Sequence, residues 1–259
     1  MTNSSPSPHT LYCNPVSDHN WPDACVLALD KATGKEVWRA LDEDAHNASP
    51  IVITAAGKRQ LIVWTQQSVS ALDPTTGGLL WRERLLTDNN NGTSTPVCDG
   101  DRLLISGLMF KLQSDKPGAT AVWPETRSLT HRILSNTSTP LLRGGQVFSA
   151  KTAGPLVCLD AATGKELWSN KDVTSKGSGA AIHLTANGDT VLLYNDQGEV
   201  IRARLSAKGY EEISRAKILE PDQPFSGRKV NWSAASYANK KVFARNSHEL
   251  VCASLEAKP

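Results

Sequence analysis

The sequence predicts an all-β protein made of repeated four-stranded units, and three observations lead to this prediction. The phrase Ala-Leu-Asp-x-x-Thr-Gly-x-x-x-Trp occurs at residues 28–38 and 71–81, and again at residues 158–168 with Cys in place of Ala. A looser copy ends at Trp123. The step from Asp30 to Asp73 is 43 residues, and the step from Asp73 to Asp160 is 87 residues, about twice that length. A regular period in this range indicates a repeat architecture.

Each phrase predicts a strand, a turn and a second strand. The first strands, at residues 26–30, 69–73 and 156–160, are short apolar runs that end in Asp. The Asp carboxylate can accept hydrogen bonds from N–H groups two or three residues later, which closes the turn. The turn glycines favour a positive φ; they are Gly34, Gly77 and Gly164, each preceded by Thr33, Thr76 or Thr163.

A further pair of strands precedes each phrase, and the first of the pair begins with Ser-Pro or Thr-Pro at Pro50, Pro96 and Pro140. Pro is tolerated at the start of a strand but not within a central ladder. Each repeat therefore holds four antiparallel strands, which indicates one β-propeller blade. The predicted blade units are residues 26–40, 47–86, 94–126, 138–171, 178–216 and 231–255, after a polar tail at residues 1–25.

The last residue of each phrase is a Trp, which has a large, flat side chain. A sheet of four short strands cannot bury both of its faces alone, and a Trp on the outermost strand can pack across to the next blade. The residues predicted for this role are Trp38, Trp81, Trp123 and Trp168.

The repeated phrase resembles the tryptophan-docking motif A-x-D-x-x-x-G-x-x-x-W of pyrroloquinoline-quinone (PQQ)-type β-propellers, a quinoprotein-like family of the WD40/YVTN-like superfamily. The matching residues are Ala28, Asp30, Gly34 and Trp38; Ala71, Asp73, Gly77 and Trp81; and Asp160, Gly164 and Trp168. The resemblance covers residues 26–255 and implies a quinoprotein-type propeller. Because that family usually closes seven or eight blades, the expected propeller is incomplete, with about five blades.

Two repeats are degenerate. Strands are expected at residues 180–183, 190–194, 199–205 and 210–214 without a Trp, and at residues 232–236, 241–245 and 249–254. The N-terminal pair and this C-terminal trio can join into a fifth sheet. Otherwise the chain forms an open arc, as in a fragment, and its free edges invite self-association.

Composition narrows the classes of partner. The net charge of +2 gives no argument for nucleic acid, and no apolar run approaches the ~18 residues of a membrane span. Residues 1–25 show no signal peptide, although the resembled family is mostly extracytoplasmic. Cys98, Cys158 and Cys252 fall in predicted strands and are expected to be buried. A disulfide between Cys13 and Cys25 is left open.

The resemblance to PQQ-type propellers does not imply a catalytic site in this chain. A quinoprotein dehydrogenase needs Ca²⁺ ligands, a catalytic Asp and Arg contacts to the quinone, and no matching cluster is found in the sequence. Asp30, Asp73 and Asp160 occupy the same turn in three repeats, as a structural turn does and a single active site does not. We expect no catalytic residue, metal or cofactor, with PQQ and Ca²⁺ as the alternative.

The loops that lead into the innermost strands are the expected binding sites of a propeller. They cover residues 88–93, 127–136, 171–178 and 226–232. The most polar candidates are Asn89, Asn90, Asn91, His131, Arg132 and Asn136, and the alternative for each is a solvated loop.

The favoured function is a non-catalytic scaffold that binds a protein partner, similar to the propeller lipoprotein of the bacterial barrel-assembly machine. The first alternative is a partial or diverged quinoprotein dehydrogenase. The second is a sensor propeller related to those attached to bacterial serine/threonine kinases, although the sequence contains no kinase motif.

Overall fold

The computed structural model describes residues 10–13, 25–45, 47–85, 93–124, 134–135, 137–174, 177 and 179–256. Two compact units divide the chain, one formed by residues 1–130 and the other by residues 131–259. Throughout the described ranges the regular structure is β-strand, and every strand pair is antiparallel.

The described residues of the first unit form three sheets, each built from strands that are consecutive in sequence. The first sheet is β1 (Thr10–Cys13), β2 (Val26–Asp30) and β3 (Glu36–Ala40). The second is β4 (Ile51–Ala55), β5 (Lys58–Trp64), β6 (Ser68–Leu72) and β7 (Leu79–Arg84). The third is β8 (Val97–Asp99), β9 (Arg102–Ile105), β10 (Leu108–Leu112) and β11 (Ala119–Trp123).

In the second unit, the residues that the structure describes form two four-stranded sheets, a hairpin and a three-stranded sheet. The four-stranded sheets are β12 (Leu141–Arg143), β13 (Gln146–Ala150), β14 (Leu156–Asp160) and β15 (Glu166–Asn170), followed by β16 (Ile182–Asn187), β17 (Thr190–Asn195), β18 (Glu199–Ser206) and β19 (Gly209–Lys217). The hairpin is β20 (Gln223–Phe225) and β21 (Arg228–Val230), and the last sheet is β22 (Ser236–Ala238), β23 (Lys241–Arg245) and β24 (Leu250–Ser254).

The hydrophobic cores lie between successive sheets of the same unit, because the second and third strands of a blade are buried on both faces. In β5, Leu61 and Val63 belong to the core shared with the β1–β3 sheet. Ile62, the residue between them, belongs to the core shared with Phe110 of the β8–β11 blade. This alternation follows from the twofold side-chain period of a strand.

A β-bulge recurs at one position of every complete blade and of the first sheet. The register shifts between Ala28 and Leu29, so that Ala28 lies opposite Trp38 and Leu29 lies opposite Glu36. Equivalent shifts follow Met109, Ala71, Cys158 and Arg202 in the other sheets. The bulge twists the outermost strand and places each motif Trp opposite the small motif residue, Ala or Cys, or opposite Met109 in the loose copy. This bulge was not expected from the sequence.

The four-stranded antiparallel blades that the sequence predicts are confirmed. Four complete blades are present in the described residues, formed by β4–β7, β8–β11, β12–β15 and β16–β19. The two sheets of three strands, β1–β3 and β22–β24, are consistent with the expected incomplete propeller.

Three details of the prediction were wrong. Strand β1 lies within residues 1–25, which were expected to be a tail, and it pairs with β2. The N-terminal strands therefore have their own third strand, and the C-terminal trio forms a separate sheet. The expected strand at residues 232–236 begins only at Ser236. The expected loop at residues 226–232 contains β21, since Ser226 and Gly227 form the tight turn of a hairpin.

Candidate protein-interaction surface

The motif aspartates close the turns between the third and fourth strands. One carboxylate oxygen of Asp30 accepts hydrogen bonds from the N–H of Ala32 at 3.1 Å, and from the N–H and hydroxyl of Thr33, both at 2.8 Å. Asp160 accepts the same three bonds at 3.1, 2.8 and 2.7 Å. These carboxylates act as acceptors within their own turns, as the sequence predicts.

The third motif aspartate, Asp73, makes the same kind of turn with an additional ion pair. Its carboxylate accepts from the N–H of Thr75 at 2.9 Å and lies 3.4 Å from the ammonium of Lys58. Partial desolvation acts to raise the pKa of Asp73, but the bonds from Thr75 and Lys58 outweigh it and hold this pKa below its usual range. The carboxylate is therefore held in its ionised form at neutral pH.

Trp38 docks on the motif turn of the following blade. Its indole N–H donates to the carbonyl of Pro74 at 3.2 Å. Its ring lies against Gly77, where an added Cβ would come within 2.6 Å of the ring atom Cε3. Gly77 also has a φ of +74°, so the same glycine serves both the turn and the contact with Trp38.

The remaining motif tryptophans vary in their contacts. Trp168 donates its N–H to the carbonyl of Ser206 at 2.8 Å, in the β18–β19 turn of the next blade. Trp81 is half-buried against the core that its blade shares with β8–β11, but its N–H donates at 2.7 Å to the side chain of Gln60 in its own blade. Trp123 is buried. Packing of the outer Trp toward the next blade is thus observed at Trp38, Trp81 and Trp168.

The polar loop residues singled out from the sequence cannot be placed. Asn89, Asn90, Asn91, His131, Arg132 and Asn136 all lie outside the described residues. Their role as binding residues stays a prediction.

A groove of about 780 Å³ lies in the second unit, between the β16–β19 blade and the β22–β24 sheet. Ser214 lines it and occupies the register position of the missing Trp, opposite Arg202. The apolar residues that line the groove are Leu192, Val200, Ile218, Tyr237, Val242 and Leu255. The charged residues that line it are Arg202, Arg215, Lys240, Lys241 and Glu256. The sequence could have located this groove through Ser214, a small residue at the position where the other blades have Trp.

Two of the groove cations are held by neighbouring carboxylates. Arg215 lies 2.8 Å from both Glu199 and Glu212, and Lys240 lies 3.1 Å from Glu256. Ala253 and Ser254, the last two residues of β24, line the groove together with Leu255.

Strand β24 lies at the edge of its sheet in the described part of the chain. Among the described residues it pairs with β23 and with no other strand, whereas its counterparts β6 and β14 each lie between two strands. The exposed fraction of Leu250 is 72%, and Cys252 is also exposed. The expectation that Cys252 is buried was therefore wrong, because its strand has no outer neighbour in the described part of the chain.

The other cysteines differ in their surroundings. Cys25 is a buried free thiol, so the disulfide with Cys13 that the sequence left open is not formed. Burial and the nearby Glu43 carboxylate raise the pKa of Cys25 to about 12. Cys158 is buried as expected, and burial raises its pKa to about 11. Cys98 is only partly buried.

A second groove, of about 620 Å³, lies in the first unit between turns of the β4–β7 and β8–β11 blades, where Asp101, Lys111 and Asp115 contribute charged side chains. Within the described ranges, no group of three or more His, Cys, Asp or Glu residues is arranged to hold a metal ion.

A family model described as outer membrane protein assembly factor BamB matches residues 22–120 and 115–209, which is most of the chain. The chain belongs to this family. The resemblance to PQQ-type propellers is thereby confirmed. No curated protein sequence matches the chain.

Solved structures of the family's fold support the same architecture. A crystal structure of BamB from Moraxella catarrhalis matches with a TM-score of 0.59 and 18% identity, over 88% of this chain and 65% of that chain. The computationally designed Ika8 protein matches with a TM-score of 0.51 and 13% identity, over 90% of this chain and 66% of that chain. The chain thus spans slightly less than two thirds of each of these proteins, and the likeness shows a shared fold.

No helix in the described residues has the length and apolar character needed to cross a membrane.

Proposed function

We propose that this chain is a non-catalytic scaffold that binds an extended segment of a protein partner. The single observation that carries the proposal is the groove between the β16–β19 blade and the β22–β24 sheet in the described part of the second unit, which combines apolar and charged side chains. Apolar side chains in such a groove supply contact area for a peptide, and the few polar groups fix its orientation.

Two further observations support a scaffold. The family description names an outer membrane protein assembly factor, which is a role in handling other proteins. The motif carboxylates take part in turns, since one oxygen of Asp30 and one oxygen of Asp160 each accept three hydrogen bonds. These repeated acidic residues therefore serve the fold, and the groove of the second unit is the surface offered to a partner.

A displayed library of random extended peptides tests this function without knowledge of the natural partner. We expect the immobilised, folded chain to enrich peptides that share a pattern of alternating apolar residues, and the enriched peptides to bind in solution. Heat-unfolded chain is the control for non-specific capture. A library that yields no peptide preferring the folded chain would overturn the proposal.

The absence of a cofactor is part of the same proposal and has its own test. Calorimetric titration of the folded chain with PQQ in the presence of Ca²⁺ is expected to show no saturable heat. Saturable binding at micromolar concentration, followed by dye reduction with an alcohol or sugar, would replace the scaffold with a quinoprotein dehydrogenase.

A further inference from the structure

A motif Trp packs against the core between successive sheets at three places in the molecule. Trp38 belongs to the core that the β1–β3 sheet shares with the β4–β7 blade. Trp81 packs against the core between the β4–β7 and β8–β11 blades, and Trp168 packs against the core between the β12–β15 and β16–β19 blades. Each Trp lies on the last strand of the earlier sheet of its pair. An indole from this strand is therefore a repeated part of the contact between sheets.

The core between the β16–β19 blade and the β22–β24 sheet differs at this position. It contains Tyr194, Val200 and Val242 but, in the described part of the chain, no Trp. Strand β19 carries Ser214 at the register position of the motif Trp, and the residue opposite is Arg202. The usual order of a small residue opposite a Trp is thus reversed. Because the difference lies inside β19, this core receives no indole from the preceding blade.

The groove of the second unit lies where that indole is missing. Ser214 and Arg202 line it together with Val200 and Val242, which belong to the core. Its volume of about 780 Å³ falls within the range of roughly 300–1,000 Å³ that is typical of ligand sites. Since aromatic side chains bury a large apolar area, an apolar lining that lacks its Trp favours an aromatic occupant.

The charges of the groove favour an acidic occupant. Arg202 lines it from the β16–β19 blade, and Lys241 lines it from the β22–β24 sheet. Unlike Arg215 and Lys240, neither of these two cations forms an ion pair within the described residues, and Arg202 makes only a long hydrogen bond of 3.5 Å to the hydroxyl of Thr190. Charge complementarity therefore selects a partner segment that carries carboxylates.

We propose that this groove binds an acidic segment of a partner protein and receives an aromatic side chain of that segment beside Ser214. The inference rests on the proposed scaffold function and names the chemistry of its partner. The aromatic ring covers Val200 and Val242 and stacks on the guanidinium of Arg202. Carboxylates on either side of the aromatic residue pair with Arg202 and Lys241, which fixes the orientation of the segment.

A second copy of the chain offers less to this groove. Of the aromatic side chains whose burial the structure describes, none is exposed. The large hydrophobic side chains that are exposed in the described residues are aliphatic, such as Val37, Leu79 and Leu167. The observations therefore favour a segment of a different protein.

The probe for this site is a fluorescent peptide with the sequence Ser-Glu-Trp-Glu-Ser. We expect it to bind the full chain saturably in an anisotropy titration. Replacing the peptide Trp by Ala is expected to weaken binding about tenfold or more, as for other interface tryptophans. Replacing both Glu residues by Gln removes the charges at nearly constant size and is also expected to weaken binding. Equal affinity of the three peptides would overturn the proposed chemistry.

A matched pair of Trp variants tests the location. Ser214→Trp supplies the missing indole from the chain itself, so it is expected to fill the groove and weaken the probe peptide at least about tenfold. Ile213→Trp introduces the same side chain at the neighbouring residue, which does not line the groove, and is expected to leave binding unchanged. Circular dichroism of both variants checks that they are folded. An equal effect of the two variants would overturn the placement beside Ser214.

A second matched pair tests the charge. Arg202→Gln removes an unpaired cation of the groove and is expected to weaken the probe peptide about two- to fivefold, as for a partly exposed ion pair. Arg204→Gln removes a cation of the same strand that does not line the groove and pairs with Glu211, and it is expected to leave binding unchanged. Equal losses from the two substitutions would overturn the role of Arg202.

The outcomes separate this inference from the scaffold function. If library-selected peptides bind the folded chain without aromatic and acidic residues, the scaffold function stands and the proposed chemistry is wrong. If they bind the Ser214→Trp variant as tightly as the parent chain, the scaffold function stands and the site is wrong. If no peptide prefers the folded chain, the scaffold function itself fails. A concentration-dependent dimer in light scattering that Ser214→Trp abolishes would assign the groove to a second copy and overturn the proposal of a partner segment.

Discussion

At the scale of single residues, the motif glycine allows a positive φ in the turn and, at Gly77, close contact with the Trp38 ring. Gly34 and Gly77 have φ values of +70° and +74°, so Ala at either position is strained by about 1–2 kcal/mol. A Cβ at Gly34 has nothing within 4 Å, whereas one at Gly77 would come within 2.6 Å of the Trp38 ring. We expect Gly77→Ala to lower the free energy of unfolding by about 1–3 kcal/mol more than Gly34→Ala, because the ring must move. Urea denaturation of the two variants measures this difference, and equal losses would contradict the docking role of Gly77.

At the scale of elements, His183 in β16 is linked to the segment between β21 and β22. The ring Nε2 of His183 lies 2.9 Å from the carbonyl of Trp232, to which it donates as the Nε2–H tautomer. Burial lowers the pKa of His183, although the bond to the Trp232 carbonyl acts in the opposite direction. The unfolded chain therefore binds a proton more readily than the folded chain, and stability present above the ordinary histidine pKa of about 6.5 is lost as the pH falls below it.

The expected pH dependence can be assigned with one variant. Acidification from about pH 7.5 to pH 5.5 is expected to reduce the free energy of unfolding through His183, by at most about 1.4 kcal/mol per pH unit for a single group. His183→Gln retains a side-chain N–H donor without a titrating ring, so its stability is expected to fall less over the same interval. Urea denaturation at both pH values measures the difference between the slopes, and parallel slopes would contradict the linkage.

At the scale of elements, the sequence predicts the bounds of some strands and misses others. The motif strands β2 and β14 were predicted at their observed bounds, because a repeated phrase with fixed Asp and Gly positions determines both the turn and the register around it. The hairpin at Ser226-Gly227 was missed, since Pro224 and these turn residues suggest a loop when strands are only three residues long. The exposure of Cys252 was missed because a buried and an exposed Leu-Val-Cys strand have the same composition.

At the scale of the whole molecule, the docking contacts of Trp38 and Trp168 should contribute independently to stability, because each of these two residues contacts partners within its own unit. Trp38 contacts Pro74 and Gly77, whereas Trp168 contacts Ser206 and lies near Phe148. Trp38→Ala is expected to cost about 3–5 kcal/mol, and Trp168→Ala less because its ring is only partly buried. Since the two rings share none of these partners, their losses are expected to add within about 0.5 kcal/mol in the double variant.

Trp38 and Gly77 are in contact, so their substitutions are expected to be coupled. This pair is the control for Trp38 and Trp168, whose losses are expected to add. Once Trp38 is Ala, the ring that a Cβ at Gly77 would meet is gone, so Gly77→Ala is then expected to cost no more than Gly34→Ala does. Double-mutant cycles by urea denaturation compare the two pairs in the same chain. A coupling energy for Trp38 and Trp168 as large as that for Trp38 and Gly77 would mean that the docking contacts act jointly across the molecule. Strong coupling confined to Trp38 and Gly77 would instead show that the repeated phrase stabilises the fold one blade contact at a time.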